Sequence, residues 1–513
     1  MERTGSRLDD AWTRLMTRPG ARTAWEYGAP GAVLAVASVL RLAGLGHPHE
    51  LVFDETYYVK DSYTLMHLGY EAAWPPDANA AFNAGSPDIY LTDPSFVAHP
   101  PVGKWIIAAG LAVFGADDAV GWRVSVAIAG ILLVLLTMLV AKRLFDGTLP
   151  AVLAGGLIAI DGNAIVMSRV ALLDTMLALF ALAGAYAILR DRDGNRERIS
   201  AWLSWRSGAG LPSAWGPSLW ARPWLVMAGV AFGLASGVKW SGLYFLAVFA
   251  VYALGSEALA RRGLGIRTWL AGSLLKQGPA TFLLTVPVAL TVYLVSWTGW
   301  FATDGGYYRH WIESGQGQPW TGALAWVPYD LQNWWHYQAT IYGYHIGEHT
   351  PHSYQANPLT WLLLVRPTSM WWLADGNNAS TILDIANPLI WWAGTAALVY
   401  VAVRMLRRPN RVDAFILVGI AAGYLPWLMY LNRTVFQFYD RLRALPHPRA
   451  HRRAAADPGL SGRPGSRRVT GIRLVGAFLA LCLVLSAFFL PVWTGMEIPR
   501  WFMYAHFWFR SWI

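Results

Sequence analysis

Residues 102–114 read Val-Gly-Lys-Trp-Ile-Ile-Ala-Ala-Gly-Leu-Ala-Val-Phe. Whether this apolar run crosses a membrane decides how every later segment is oriented. The 513-residue chain is 55% hydrophobic and 14% charged, where a soluble domain carries about 25% charged residues. Apolar runs recur along its length, which predicts an all-α polytopic membrane protein. Candidate spans lie at roughly 30–46, 121–141, 148–166, 171–189, 223–239, 241–256, 279–298, 387–405, 413–431 and 473–493. At 13 residues, 102–114 falls short of the roughly 20 that a crossing helix needs. It is read as a juxtamembrane or re-entrant helix on the outer side.

Charge supports that reading. With the N-terminus inside, the inner segments hold Arg3, Arg7, Arg14, Arg18 and Arg22, then Lys142 and Arg143, six Arg in 190–222, four basic residues in 256–276, and Arg404, Arg407, Arg408 and Arg411. The outer loop 47–101 holds Lys60 alone, and the loop 299–386 holds Arg309 and Arg366. Basic residues concentrate on the cytoplasmic side of membrane proteins; a crossing at 102–114 would turn the Arg-rich loops outward. The net charge of +10 is thus a topology signal, with no stripe suited to nucleic acid. No small-residue cleavage site follows the first span, so it reads as an uncleaved anchor. The single cysteine, Cys482, lies in an apolar run and says nothing about redox compartment.

The segments expected are a cytosolic tail (1–29), a membrane module (30–298) containing the outer loop 47–120, a second outer loop (299–386), further spans (387–439), an aberrant Arg/Pro-rich stretch (440–470), and a last span with its tail (471–513). The first outer loop is acidic: Glu50, Asp54, Glu55, Asp61, Glu71, Asp77, Asp88 and Asp93 face Lys60. Its segment 54–68 has helical character and suits a membrane surface. The second loop is rich in Trp, Tyr and His. It suits sugar or peptide binding, or equally an interfacial aromatic belt. Arg123, Arg169, Asp174 and Lys239 stand at outer ends of spans, where charge is costly and tends to be functional. Snorkelling or structural pairing would explain them too. Asp54 and Glu55 are adjacent, so they point different ways on a helix. They read as a base with a positioning neighbour, or as a helix-capping pair.

Phe-Asp-Glu-Thr-Tyr-Tyr-Val-Lys-Asp (53–61) and His-Pro-Pro-Val-Gly-Lys-Trp (99–105) resemble the protein O-mannosyltransferase family in its bacterial, actinobacterial form. Gly121-Trp122-Arg123, Ser168-Arg169, Leu172-Leu173-Asp174, Val238-Lys239-Trp240-Ser241-Gly242, Tyr344-His345-Ile346-Gly347, Trp361, Arg366-Pro367, the run Arg433 to Tyr439 and Pro491 to Gly495 follow in order. The resemblance implies a GT-C glycosyltransferase fold of about ten to eleven spans. It implies inverting transfer of mannose from polyprenyl-phosphate mannose to Ser or Thr hydroxyls of secreted or membrane proteins, during Sec translocation, at the extracytoplasmic face of the cell membrane.

In that scheme Asp54 is the catalytic carboxylate and Glu55 its neighbour aiding the acceptor. A hydroxyl is a poor nucleophile, and a carboxylate within reach can take its proton. The lipid phosphate leaving group needs cations, and the candidates are Arg123, Arg169, Lys239, Lys104 and His99. Tyr58, His345, Trp361 and Arg366 are candidates for acceptor or sugar contacts. No metal ligand set stands out; a divalent ion is not required by this chemistry, though compatible with it. A GT-C transferase with a lipid or glycan acceptor, and a transporter, are the alternatives. A transporter would show broken spans with charges at mid-membrane and an internal repeat, and no repeat is visible.

Two departures stand out. His352-Ser353-Tyr354-Gln355 replaces the family's usual His-Pro-Tyr run. Residues 440–470 hold eight Arg and four Pro where a tenth span is expected, and such a segment cannot span as a helix. One permitted coding of Asp440–His447, shifted by one base, reads Thr-Ala-Phe-Glu-Pro-Tyr-Leu-Thr, which resembles the family's continuation. A local frameshift, or a genuine polar insertion, would account for it.

Overall fold

The computed structural model describes residues 7–439 and 464–513; the Arg/Pro-rich departure therefore lies largely outside the described residues. Long apolar stretches fold as helices because a span must satisfy its backbone polar groups internally. Helix α1 (Ala29–Leu42) leads into the acidic loop, where α2 (Glu55–Leu68) is followed by α3 (Val102–Phe114) and α4 (Ala119–Phe145). Helix α2 ends at Gly69, whose φ of +82° closes the helix in the left-handed conformation glycine adopts freely. It packs on α3 and buries Val59, Tyr63 and Leu65. Leu65 is thus spent on protein, whereas Tyr57 stays exposed.

The stretch 148–166, expected as one span, is α5 (Thr148–Ile160) followed by α6 (Gly162–Arg169), bent by 61°. Asp161 makes the break: its carboxylate accepts from Ala164 N at 3.1 Å, a side-chain cap that starts a new helix. Helix α7 (Asp174–Gly208) runs beyond the expected 171–189 into polar sequence. Then follow α8 (Pro223–Val238), α9 (Gly242–Gly263), α10 (Gly278–Ser296), the outer-loop helix α11 (Tyr329–Gly347), α12 (Pro388–Arg407), α13 (Arg411–Tyr424) and α14 (Pro464–Thr494). Among the described residues six helices are long and apolar enough to cross a membrane, or seven if the bent pair counts as one span. The chain is thus a multi-pass membrane protein. The remaining expected spans fall short because α1 and α8 are only 14 and 16 residues long, and α7 carries Asp174, Arg190 and Asp191 within its apolar half.

One core joins α4, α7, α8, α9 and α13 through Leu144, Leu182, Leu225, Phe232, Phe249 and Phe415. A second lies under the outer loops and includes Val52, Ile165, Leu383, Phe438 and Trp493. It also holds the one sheet among the described residues, absent from the all-α expectation. Strands β1 (Thr368–Asp375) and β2 (Asn378–Asp384) form an antiparallel hairpin, and β3 (Ile498–Pro499) pairs antiparallel with β2.

Candidate active site

Adjacent residues Asp54 and Glu55 have opposite surroundings. Glu55 is fully buried. Its Oε1 accepts from Arg123 Nε at 2.8 Å and from Ala171 N at 2.7 Å. Its Oε2 accepts from Arg123 Nη2 at 2.8 Å and from Val52 N at 3.0 Å. Asp54 precedes α2 without capping it. No hydrogen bond reaches its carboxylate among the described residues. Partial burial, opposed by Lys239 and reinforced by Asp174, pushes its pKa up to about 6, so near neutral pH it is a charged base close to its titration point.

Glu55, expected as the neighbour that aids the acceptor, has every lone pair committed to Val52 N, Ala171 N and Arg123. Arg123, a candidate phosphate cation, is held in the same cluster. Besides Glu55, it donates through Nη1 to Leu45 O (3.2 Å) and Pro48 O (2.8 Å), and through Nη2 to Glu50 O (2.9 Å), which exhausts its five donors. Gly121 allows this placement, since a Cβ there would stand 1.8 Å from Gly115 O. Arg169 is also turned inward: it donates to the carbonyls of Leu40, Arg41, Ala43 and Gly44. Those carbonyls end α1, where a cation is favoured. Lys104 is buried against Glu71 and 3.8 Å from Asp61, out of reach of a ligand. Arg123, Arg169 and Lys104 are thus each paired with protein groups.

Lys239 is different. It pairs with Asp174 at 2.8 Å and lies over the Tyr439 ring at 5.0 Å, and both carboxylate and cation line a cleft of about 280 Å³. The cleft has a polar end of His99, Asp174, Lys239, His345 and Arg433, and an apolar wall that includes Trp240, Leu243, Phe245, Ala422 and Trp427. Asp54 is not part of that wall, but Lys239 and Asp174 both act on its carboxylate. His345 Nε2 donates to Ala98 O at 2.8 Å, and its Nδ1 accepts from Arg433 Nη2 at 2.9 Å; this is a neutral imidazole. Burial and Arg433 hold its pKa down to about 4. His99 stacks on it at 5.2 Å and is likewise held well below the usual histidine range by burial and Lys239. Among the described residues His99 Nδ1 and Arg433 Nε are buried and meet no hydrogen-bond partner.

Of the acceptor or sugar candidates, Tyr58 lies next to His99 (6.0 Å), its phenol raised by burial and then by Asp54. His345 lines the cleft. Trp361 does not reach it: the ring is fully buried, with Nε1 donating to Ala356 O at 2.9 Å. Arg366 is tied to the carbonyls of Ser353, Ser511 and Ile513. Both side chains are engaged by protein carbonyls in this structure. Arg433 was not singled out from the sequence, although it carries the same signal as Lys239: a lone cation after an apolar run. Among the described residues no group of three or more His, Cys, Asp or Glu comes together to hold a metal ion.

Residues 31–297 match the family model described as dolichyl-phosphate-mannose-protein mannosyltransferase. The polyprenol-phosphate-mannose–protein mannosyltransferase of Mycobacterium tuberculosis is 30% identical, over 94% of this chain and 91% of its own. That of Corynebacterium glutamicum is 31% identical, over 98% and 94%. In structure, the chain is similar to the yeast Pmt1–Pmt2 protein O-mannosyltransferase complex bound to the sugar donor (TM-score 0.69, 15% identity, 95% of this chain and 92% of that one). It also resembles the archaeal oligosaccharyltransferase AglB of Archaeoglobus fulgidus (TM-score 0.50, 15% identity, 91% and 56%). The architecture is therefore that of the GT-C glycosyltransferases, and the chain belongs to the dolichyl-phosphate-mannose-protein mannosyltransferase family.

Proposed function

We propose that the chain transfers mannose from polyprenyl-phosphate mannose to Ser or Thr hydroxyls of polypeptides, with inversion at the anomeric carbon and Asp54 as the general base. The observation that carries this reading is an ionisable carboxylate without a hydrogen-bond partner among the described residues, acted on by a cation that lines an amphipathic cleft. The curated relatives are named for the same donor and for a protein acceptor.

In the proposed reaction the acceptor hydroxyl gives its proton to Asp54 as its oxygen attacks the anomeric carbon. The bond from that carbon to the phosphate oxygen breaks, and the lipid phosphate leaves with the electron pair. One displacement inverts the configuration and needs one base. Charge developing on the phosphate calls for cations held in place beforehand, a role that fits Arg433 and Lys239. Neutral His99 and His345 can orient the headgroup without competing for the proton. The apolar wall suits a polyprenyl chain. The site works at the extracytoplasmic face, with the N-terminus cytoplasmic, on polypeptides emerging by Sec translocation.

The test is transfer from radiolabelled polyprenyl-phosphate mannose to a Thr-rich peptide by the purified, full-length protein. Asp54→Ala abolishes transfer while membrane insertion is retained; near-wild-type transfer by that variant would sink the assignment. Replacing the peptide with lipid or glycan acceptors separates the alternative transferase reading.

A further inference from the structure

Phe53, which precedes the proposed base, has a φ of +49°, a left-handed conformation that bulky L-residues rarely adopt. The turn around it is fastened on both sides. Glu55 N donates to Val52 O at 3.0 Å, and Val52 N donates to Glu55 Oε2 at 3.0 Å. Within that frame the rotation at Phe53 sets the direction in which Asp54 leaves the turn. The carboxylate itself has no hydrogen bond among the described residues to hold it. Its aim must therefore come from the backbone, and the backbone from the Phe53 ring.

That ring is held. It meets Phe436 edge-on at 5.6 Å and 84°, and Phe438 at 6.1 Å and 86°. Those two rings are parallel, 5.4 Å apart at 3°. His352 closes the cluster, 6.0 Å from Phe53 and 5.0 Å from Phe436. Edge-to-face packing at these separations is the arrangement aromatic rings prefer. Phe436 and Phe438 lie in the segment Arg433–Tyr439, which also gives Arg433 and Tyr439 to the cleft, and Tyr439 packs 4.9 Å from Phe438. Seven consecutive residues thus touch both the donor side and the turn that carries the base.

We propose that Phe53, Phe436, Phe438 and His352 form an aromatic clamp that positions Asp54 for proton transfer. This rests on Asp54 serving as the base. Among the described residues no hydrogen bond or ring contact joins these four side chains to the cleft's polar end, so they are positioning residues acting through the turn. Their loss lowers kcat and leaves the KM for the lipid donor unchanged.

The test uses the full-length protein in detergent, with steady-state transfer from radiolabelled polyprenyl-phosphate mannose to a Thr-rich peptide. Phe53→Gly removes the ring while glycine takes φ +49° without strain, so the variant separates loss of the clamp from failure to fold. Phe436→Ala removes one jaw, and Phe436→Tyr keeps the ring. The expected result is a fall in kcat of about tenfold to a hundredfold for Phe53→Gly and Phe436→Ala, with donor KM within about twofold of wild type and with recovery in Phe436→Tyr. The acid limb of the kcat–pH profile also moves, because Asp54 no longer holds its place against Lys239, Asp174, Tyr58 and Tyr439. Wild-type kcat in Phe53→Gly overturns the clamp. Asp54→Asn, assayed in parallel, separates the two readings: transfer by that variant overturns the base assignment, whereas an inactive Asp54→Asn beside an unaltered Phe53→Gly overturns the clamp alone.

Discussion

Asp54 and Glu55 share a charge, a loop and a peptide bond, yet the fold treats them as opposites. Glu55 is sealed inside with Arg123 and two backbone amides; Asp54 is left to the field of Lys239 and Asp174. The cations divide in the same way. Arg123 has spent every donor on the protein, whereas Arg433 keeps a buried Nε that meets no partner among the described residues. Charge at a membrane edge marks both groups, and the tally of hydrogen bonds separates them. A saturated cluster holds shape; an unsaturated one is left for a substrate.

The sharpest way to break this contrast is to exchange the roles by mutation. Asp54→Asn removes the proposed base with little change in volume, and transfer falls by about 10²- to 10⁴-fold while the unfolding midpoint in detergent stays near wild type. Glu55→Gln strands the Arg123 guanidinium in the interior, at a cost of about 3–5 kcal/mol. It appears as a lower unfolding midpoint and a lower yield, with activity per folded molecule largely kept. If Glu55→Gln instead folded normally and lost transfer, the two carboxylates would not be divided as described.

Arg433→Met removes a proposed cation for the leaving phosphate and lowers kcat by about 10²- to 10³-fold, whereas Arg169→Met acts on stability through the end of α1. The smallest effect concerns pH. With ionised Asp54 as the proposed base, kcat is expected to stand at half its plateau near pH 6, to level off above that and to fall below it. Lys239 holds that value down, so Lys239→Met moves the acid limb to higher pH. Asp174 pushes it up, so Asp174→Asn moves the limb to lower pH. A pH profile through the acid limb reads both.

Much of the helical frame was legible because apolar runs interrupted by polar turns report directly on what lipid will accept. The bend at Asp161 was missed because the run 148–166 stays apolar on both sides of one capping residue. The β1–β2 hairpin carried a signal in its two-residue turn Gly376-Asn377, which the density of aromatic residues around it obscured. At the site, motif order pointed to Asp54, and the outer position of the charges pointed to Lys239. What sequence could not supply was the partner of each charge. Glu55 and Arg123 are 68 residues apart, and Arg169 meets carbonyls about 126 residues away. Contacts of that separation come from tertiary packing, to which charge patterning is blind.

The short strand β3 has a topological consequence. Its pairing with β2 places residues 378–379 and 498–499 side by side, so the segment that follows α14 is tied to the hairpin of the second loop. Tyr439 packs with Phe438 beside the turn at Phe53. Helix α14 ends next to β3 and, with 31 residues, begins about 46 Å away. Two residues of backbone pairing thus anchor the end of the last helix to the β1–β2 hairpin of the second loop.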